Sequence, residues 1–227
     1  CQYLVRTLGF SRQNVIYLEN PTQSRLNAVL GTSENHRGRL HDYLPNDDAE
    51  VFVYYSGHGA PNPAEDGRTY FMPTDASANQ LSLTGYPVDL LYKNLAKITS
   101  GPVTVAIDAC FSGQSEAGTL VQNASPAVLT VENPMLSLEQ GLVLTASNAD
   151  EVSSWYPKKK HGLFTYYFLK GLRGDADQDS NQKITGSEMR TYLSENVPRE
   201  ARRLHSRSQN PQVMGPDLDR VMVRYTE

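Results

Sequence analysis

Cysteine is scarce in this chain: its 227 residues include only Cys1 and Cys110. Two thiols do not build a disulfide framework, and no C-x-x-C pair is present to hold zinc. Cys110 is therefore expected to be a free thiol. Excess positive charge is lacking as well. Lys and Arg number 21 against 25 Asp and Glu, a formal net charge of −4, which leaves no electrostatic footprint for nucleic acid. No apolar run approaches the roughly 18 residues of a membrane span, so no membrane partner is expected. No signal peptide, internal repeat or low-complexity tract is visible. The opening "CQYLVRTLGF" reads as the last turns of a helix ending near Gly9, so an upstream segment is expected.

What is present fits one large α/β domain spanning 1–227. Apolar strand-like runs alternate with amphipathic ones. Strands are expected over 14–20, 49–58, 69–75, 102–110, 139–148 and 220–225. Helices are expected over 21–30 with Thr22 as cap, 37–44, 86–98, 161–172 and 187–196. In the 86–98 segment Val88, Leu91, Leu95 and Ile98 fall on one face. Continuous apolar strands between amphipathic helices imply a mostly parallel sheet with helices on both faces, a three-layer α/β architecture. Such sheets carry their sites at the carboxyl ends of the strands.

Two of those ends hold reactive side chains followed by glycine. "VFVYYSGHG" delivers His58 and "VTVAIDACFSG" delivers Cys110. A nucleophilic thiol needs a base or a cationic partner that favours its thiolate. If the two strands are neighbours, His58 and Cys110 meet at one edge of the sheet. His36, His41, His161 and His205 show no ligand spacing and read as surface or structural residues.

The paired motifs "YYSGHG" and "DACFSG" resemble the caspase superfamily, most closely metacaspases and their bacterial relatives. The likeness continues through "GLVLTASNADEVSSWYP", "HGLFTYYFLKGL", "GDADQDSNQKITGSEMRTYL" and "NPQVMG". A His about 50 residues upstream of the nucleophile is that family's spacing. The resemblance implies a caspase-like six-stranded type of sheet whose first strand precedes this sequence. An upstream segment completing the sheet is thus an expected partner. It also implies a large-subunit-like part at 1–111, a linker at 112–138 and a small-subunit-like part at 139–227. The implied activity is that of a cysteine endopeptidase acting on protein or peptide substrates. Cys110 would attack the peptide carbonyl and His58 would protonate the leaving amine. Backbone amides of Gly59 and Cys110 would hold the oxyanion, with no cofactor needed for catalysis.

Specificity is expected from Asp108. Alternation on a strand places it on the same side as Cys110. In metacaspases the matching Asp helps form an acidic pocket for Arg or Lys, and Ser56 matches another pocket residue. Asp89 is a second candidate acid, with helix capping as its other reading. Animal caspases have Gln in place of Asp108 and an Arg where Tyr156 stands. The exchange favours cleavage after Arg or Lys rather than Asp. Trp155 is expected to line an adjoining pocket, or else to pack the loop. No Lys or Arg occurs between Phe111 and Pro157. An enzyme selective for basic residues would leave that linker uncut, and any self-cut is expected at 158–160 or 199–207.

"DQDSNQKITGSE", 177–188, fits the calcium-loop pattern D-x-[DN]-x-[DN] with Glu at the twelfth position. Its ligands would be Asp177, Asp179, Asn181, the Lys183 carbonyl, Thr185 directly or through water, and Glu188. Gln182 replaces the glycine of the sharp turn, which should weaken calcium binding. A solvated acidic loop capping the next helix is the competing reading. For the whole chain two functions compete with the metacaspase-type peptidase: a catalytically silent caspase-like interaction module, and a peptidase of the gingipain or separase kind.

Overall fold

The computed structural model describes residues 2–112, 114–115, 118–119, 140–148 and 150–225. Its helices are α1 (Gln2–Arg6), α2 (Gln23–Leu30), α3 (Arg39–Asp42), α4 (Leu81–Thr84), α5 (Val88–Ile98), α6 (Leu163–Lys170) and α7 (Gly186–His205). Its strands are β1 (Val51–Ser56), β2 (Gly59–Asn62), β3 (Arg68–Phe71), β4 (Tyr86–Pro87), β5 (Val103–Asp108), β6 (Gln114–Ser115), β7 (Gly118–Thr119), β8 (Gly141–Thr145), β9 (Trp155–Tyr156), β10 (His161–Gly162), β11 (Lys183–Thr185), β12 (Gln212–Met214) and β13 (Val221–Arg224). Nearly all of the expected 112–138 linker lies outside the described residues. No described helix is long and apolar enough to cross a membrane.

The central sheet has the order β1-β5-β8-β12. β5 runs parallel to β1 and to β8, and β12 is antiparallel to β8. Every residue of β5 is buried, as a parallel strand covered on both faces requires. Its alternate side chains divide between two layers. Val103, Val105 and Ile107 join a core with Leu26 of α2 and Leu91 and Leu95 of α5. Ala106 joins the opposite core with Phe164 and Phe168 of α6 and Leu193 and Val197 of α7. The architecture is thus the three-layer α/β sandwich that the strand–helix alternation implies. Val88, Leu91, Leu95 and Ile98 are all buried, as the helical spacing requires. Replacing Leu91 with Ala would cost about 2–5 kcal/mol through the cavity left behind.

Several expectations are corrected. Residues 14–20 form no strand: a 3₁₀ turn at Arg12–Asn14 is followed by chain without ladder partners. Its β-branched and aromatic composition does not by itself make a strand, because that propensity depends on cross-strand context. The sheet shows four strands among the described residues rather than six. β12 escaped notice because three residues are too few to carry an alternation signal. β13 forms outside the central sheet, pairing antiparallel with the unforeseen β11. The 37–44 segment gives only one helical turn. α7 runs on to His205, well past 196, carrying Pro198 within it.

Candidate active site

The strand register assembles the site. Ser56 of β1 lies opposite Asp108 of β5, and the Gly57 amide donates to the Asp108 carbonyl at 3.2 Å. His58 and Cys110 each follow that pair by two residues, so both leave the sheet at the same end. The His58 carbonyl accepts from the Met72 amide at 2.9 Å and from the Tyr55 hydroxyl at 2.7 Å. This fixes the backbone while the side chain stays exposed. Gly59 is buried, and a Cβ there would lie 2.4 Å from the Phe111 ring and 2.9 Å from the Cys110 carbonyl. Glycine is therefore required by close packing between the two motifs.

Cys110 is a half-buried thiol outside any disulfide. The Ser153 amide donates to its Sγ at 2.8 Å, and the Sγ in turn lies 3.8 Å from the Ser153 carbonyl. Ser153 belongs to a loop braced by the segment after α7. The Ser154 amide donates to Gln209 Oε1 at 2.9 Å, and Arg207 Nε donates to Ser154 Oγ at 3.1 Å. Glu151 accepts from the Asn210 amide at 2.6 Å.

Asp108 lies on the α6 side of the sheet and is 6% exposed. Its Oδ1 accepts from Ser153 Oγ at 2.7 Å. Its Oδ2 accepts from the Thr165 hydroxyl, and from the Thr165 amide at 3.3 Å. That amide is in the first turn of α6, so the carboxylate also satisfies a helix-terminal donor. Burial pushes the Asp108 carboxyl above the usual range, against the hydrogen bonds from Thr165 and Ser153. A Cβ at Gly162 would come within 2.1 Å of Oδ2, so only glycine admits the carboxylate there. Tyr54, two residues before Ser56 on β1, donates its hydroxyl to Thr165 Oγ1 at 2.6 Å. Tyr54 and Ser56 are both exposed.

The other expected pocket residues are dispersed. Trp155 is 47% exposed and lies on β9, paired with Gly162, beside the Asp108 cluster. Tyr156 points away from it. It is buried edge-on against Tyr166, with ring centroids 5.1 Å apart, and hydrogen-bonds Glu200 of α7. Strand alternation separates it from Trp155. Asp89 is in the first turn of α5, bonded to Arg68 Nε at 2.9 Å and Lys93 Nζ at 2.8 Å. Burial raises its carboxyl, but Arg68 and Lys93 outweigh this and hold it below the usual range. It is the centre of a partly exposed ion-pair cluster.

In the 177–188 loop, one carboxylate oxygen each from Asp177, Asp179 and Glu188 lie within 4.8 Å of one another. The Asp177 carboxylate accepts from the Asn181 and Gln182 amides at 3.1 and 3.0 Å. Asn181 Oδ1 accepts from the Lys183 amide at 2.8 Å. Thr185 and Glu188 form a reciprocal capping box at the start of α7, so the helix-capping reading is realised. Gln182 holds φ +64°, the left-handed region that glycine occupies without strain.

Ser153, Gly162, Thr165 and Tyr54 were not singled out from the sequence. Alternation along β1 pointed to Tyr54, since it shares a face with Ser56. The others come from distant segments and carry no local signal. Compared with known proteins, the chain matches the caspase-domain model of the peptidase C14 family over residues 1–223. No curated protein sequence matches it.

Proposed function

The chain belongs to the caspase-domain family, a family of cysteine peptidases, and from that premise we propose that it is an endopeptidase cleaving after Arg or Lys through a Cys110–His58 dyad. The observation that carries this reading is the β1–β5 register, which delivers His58 and Cys110 to one end of the sheet. The Cys110 thiolate attacks the scissile carbonyl carbon, and the carbonyl π electrons move to oxygen. Amides of Gly59 and Cys110 stabilise that oxyanion. As the tetrahedral adduct collapses, the C–N bond breaks and His58 gives its proton to the departing amine. Water, deprotonated by His58, then hydrolyses the thioester. Asp108, with Ser56 at its mouth and Trp155 on β9 opposite Gly162, receives the cationic side chain. Asp89 and Tyr156 are left out of this pocket.

The test is covalent capture. A peptidyl acyloxymethyl ketone ending in Arg should add one peptide mass to the protein, at Cys110. The Cys110→Ala protein should gain none, and an Asp-ended reagent should label far more slowly. No labelling of folded protein would favour the silent interaction module. Equal labelling by both reagents would overturn the cationic pocket.

The 177–188 loop is proposed as a weak calcium loop, with Asp177, Asp179, Asn181 and Glu188 as side-chain ligands. Its support is the match to the loop pattern and the convergence of three carboxylates. It takes no part in the dyad chemistry.

A further inference from the structure

We propose that Tyr54 and Thr165 form a hydroxyl relay that orients Asp108 for a cationic substrate side chain, which makes both of them specificity-determining positioning residues. The inference rests on the reading of Asp108 as the specificity carboxylate and says how that carboxylate is held. Thr165 has one hydroxyl proton, and an ionised carboxylate can only accept. The Thr165 hydroxyl therefore donates to Asp108 Oδ2, and Tyr54 must donate into Thr165 Oγ1. The relay runs Tyr54 to Thr165 to Asp108, with each proton assigned.

Its geometry divides the labour of the two carboxylate oxygens. Oδ2 accepts both the hydroxyl and the amide of Thr165 and faces the Gly162 backbone. Oδ1 accepts one bond, from Ser153 Oγ, among the described residues. Fixing Oδ2 on α6 thus leaves Oδ1 as the oxygen with capacity for a guanidinium or ammonium. Tyr54 is 41% exposed although its hydroxyl is committed to the relay, so its ring stands at the edge of the same pocket. The relay also opposes the effect of burial, because hydrogen bonds donated to a carboxylate favour its charged form.

The groups around Asp108 are few. From β1 the ionisable neighbour is the Tyr54 phenol, raised by burial and by the Asp108 charge. Just beyond its own strand it is the Cys110 thiol, which shares Ser153 with it. His58 follows Ser56 on β1. From α6 and the Ser153 loop only hydroxyls and an amide face it, and no Lys or Arg among the described residues acts on its titration.

The test uses two peptides identical except for Arg or citrulline at the cleaved position. Citrulline keeps the shape of arginine without its charge. The ratio of their kcat/KM values cancels the dyad's own pH dependence and the fraction of active protein. In wild type the ratio should be high near neutrality and fall on the acid side as Asp108 protonates. Thr165→Val should lower the neutral ratio about tenfold, as loss of one bond to a charged group implies, and move the acid limb upward by about one pH unit. Thr165→Ser should restore both. Tyr54→Phe should shift both in the same direction by a smaller amount. The relay is overturned if Thr165→Val leaves ratio and limb as in wild type, or if Thr165→Ser fails as badly as Thr165→Val. A wild-type ratio near one would overturn the cationic pocket itself, and the relay with it.

Discussion

A carboxyl group that is 6% exposed costs stability when it ionises, and Asp108 is such a group. Burial raises its folded pKa above the unfolded value near 3.8. The folded state therefore binds the proton more tightly than the unfolded state. By linkage, stability falls as pH rises through the interval between the two pKa values. Asp108→Asn removes that interval. Its Oδ1 can accept from Thr165, and its amide can donate to Ser153 Oγ, so no buried group is orphaned. Thermal melts should show the variant gaining on wild type as pH rises from about 4 toward 7. Cleavage of Arg substrates by the same variant should drop by about two to three orders of magnitude. A variant that melts lower than wild type at neutral pH would mean that Asp108 serves α6 more than substrate.

At the scale of elements, the 177–188 loop carries a local conflict. Gln182 sits in the left-handed region at φ +64°, held by the hydrogen bond its amide donates to Asp177 and by Tyr225, whose amide donates to the Gln182 carbonyl at 2.9 Å. Gln182→Gly should raise stability by about 1 kcal/mol in denaturant unfolding and strengthen calcium binding in calorimetry. A Gln182→Gly protein no more stable than wild type would show that the turn is unstrained. The long, strongly patterned elements were legible in the sequence: β5 and β8 as continuous apolar runs, α5 by its spaced Val88, Leu91, Leu95 and Ile98. The placement of His58 and Cys110 beyond neighbouring strand ends, with Asp108 closing β5, was legible because apolar runs and turn glycines mark those ends. Ser153, Gly162 and Thr165 were not, because they reach Asp108 only through tertiary packing. Tyr156 was misplaced because the loop's fold into β9 turns it to the α7 side. Residues 14–20 misled because strand propensity is realised only through pairing, and this segment has no ladder partner among the described residues.

For the whole molecule, the sheet order leaves β1 with one pairing partner among the described residues. The distribution of basic residues bears on processing. None lies between Phe111 and Pro157, while Lys158, Lys159 and Lys160 are all exposed. Exposed turns are the usual sites of nicking. The basic residues at 199–203 are held in α7 and Arg207, just beyond it, donates its Nε to Ser154 Oγ at 3.1 Å, which favours 158–160 over 199–207 for the expected self-cut. The chain should then act unsplit between its two halves. The most direct measurement is a cleavage profile on a diverse peptide library, read by mass spectrometry with the Cys110→Ala protein as background and the enzyme's own mass followed in the same samples. The account predicts cysteine-dependent cuts after Arg, then Lys, with any self-cut confined to 158–160. A profile dominated by acidic residues, or a cysteine-dependent self-cut within 112–138, would contradict it.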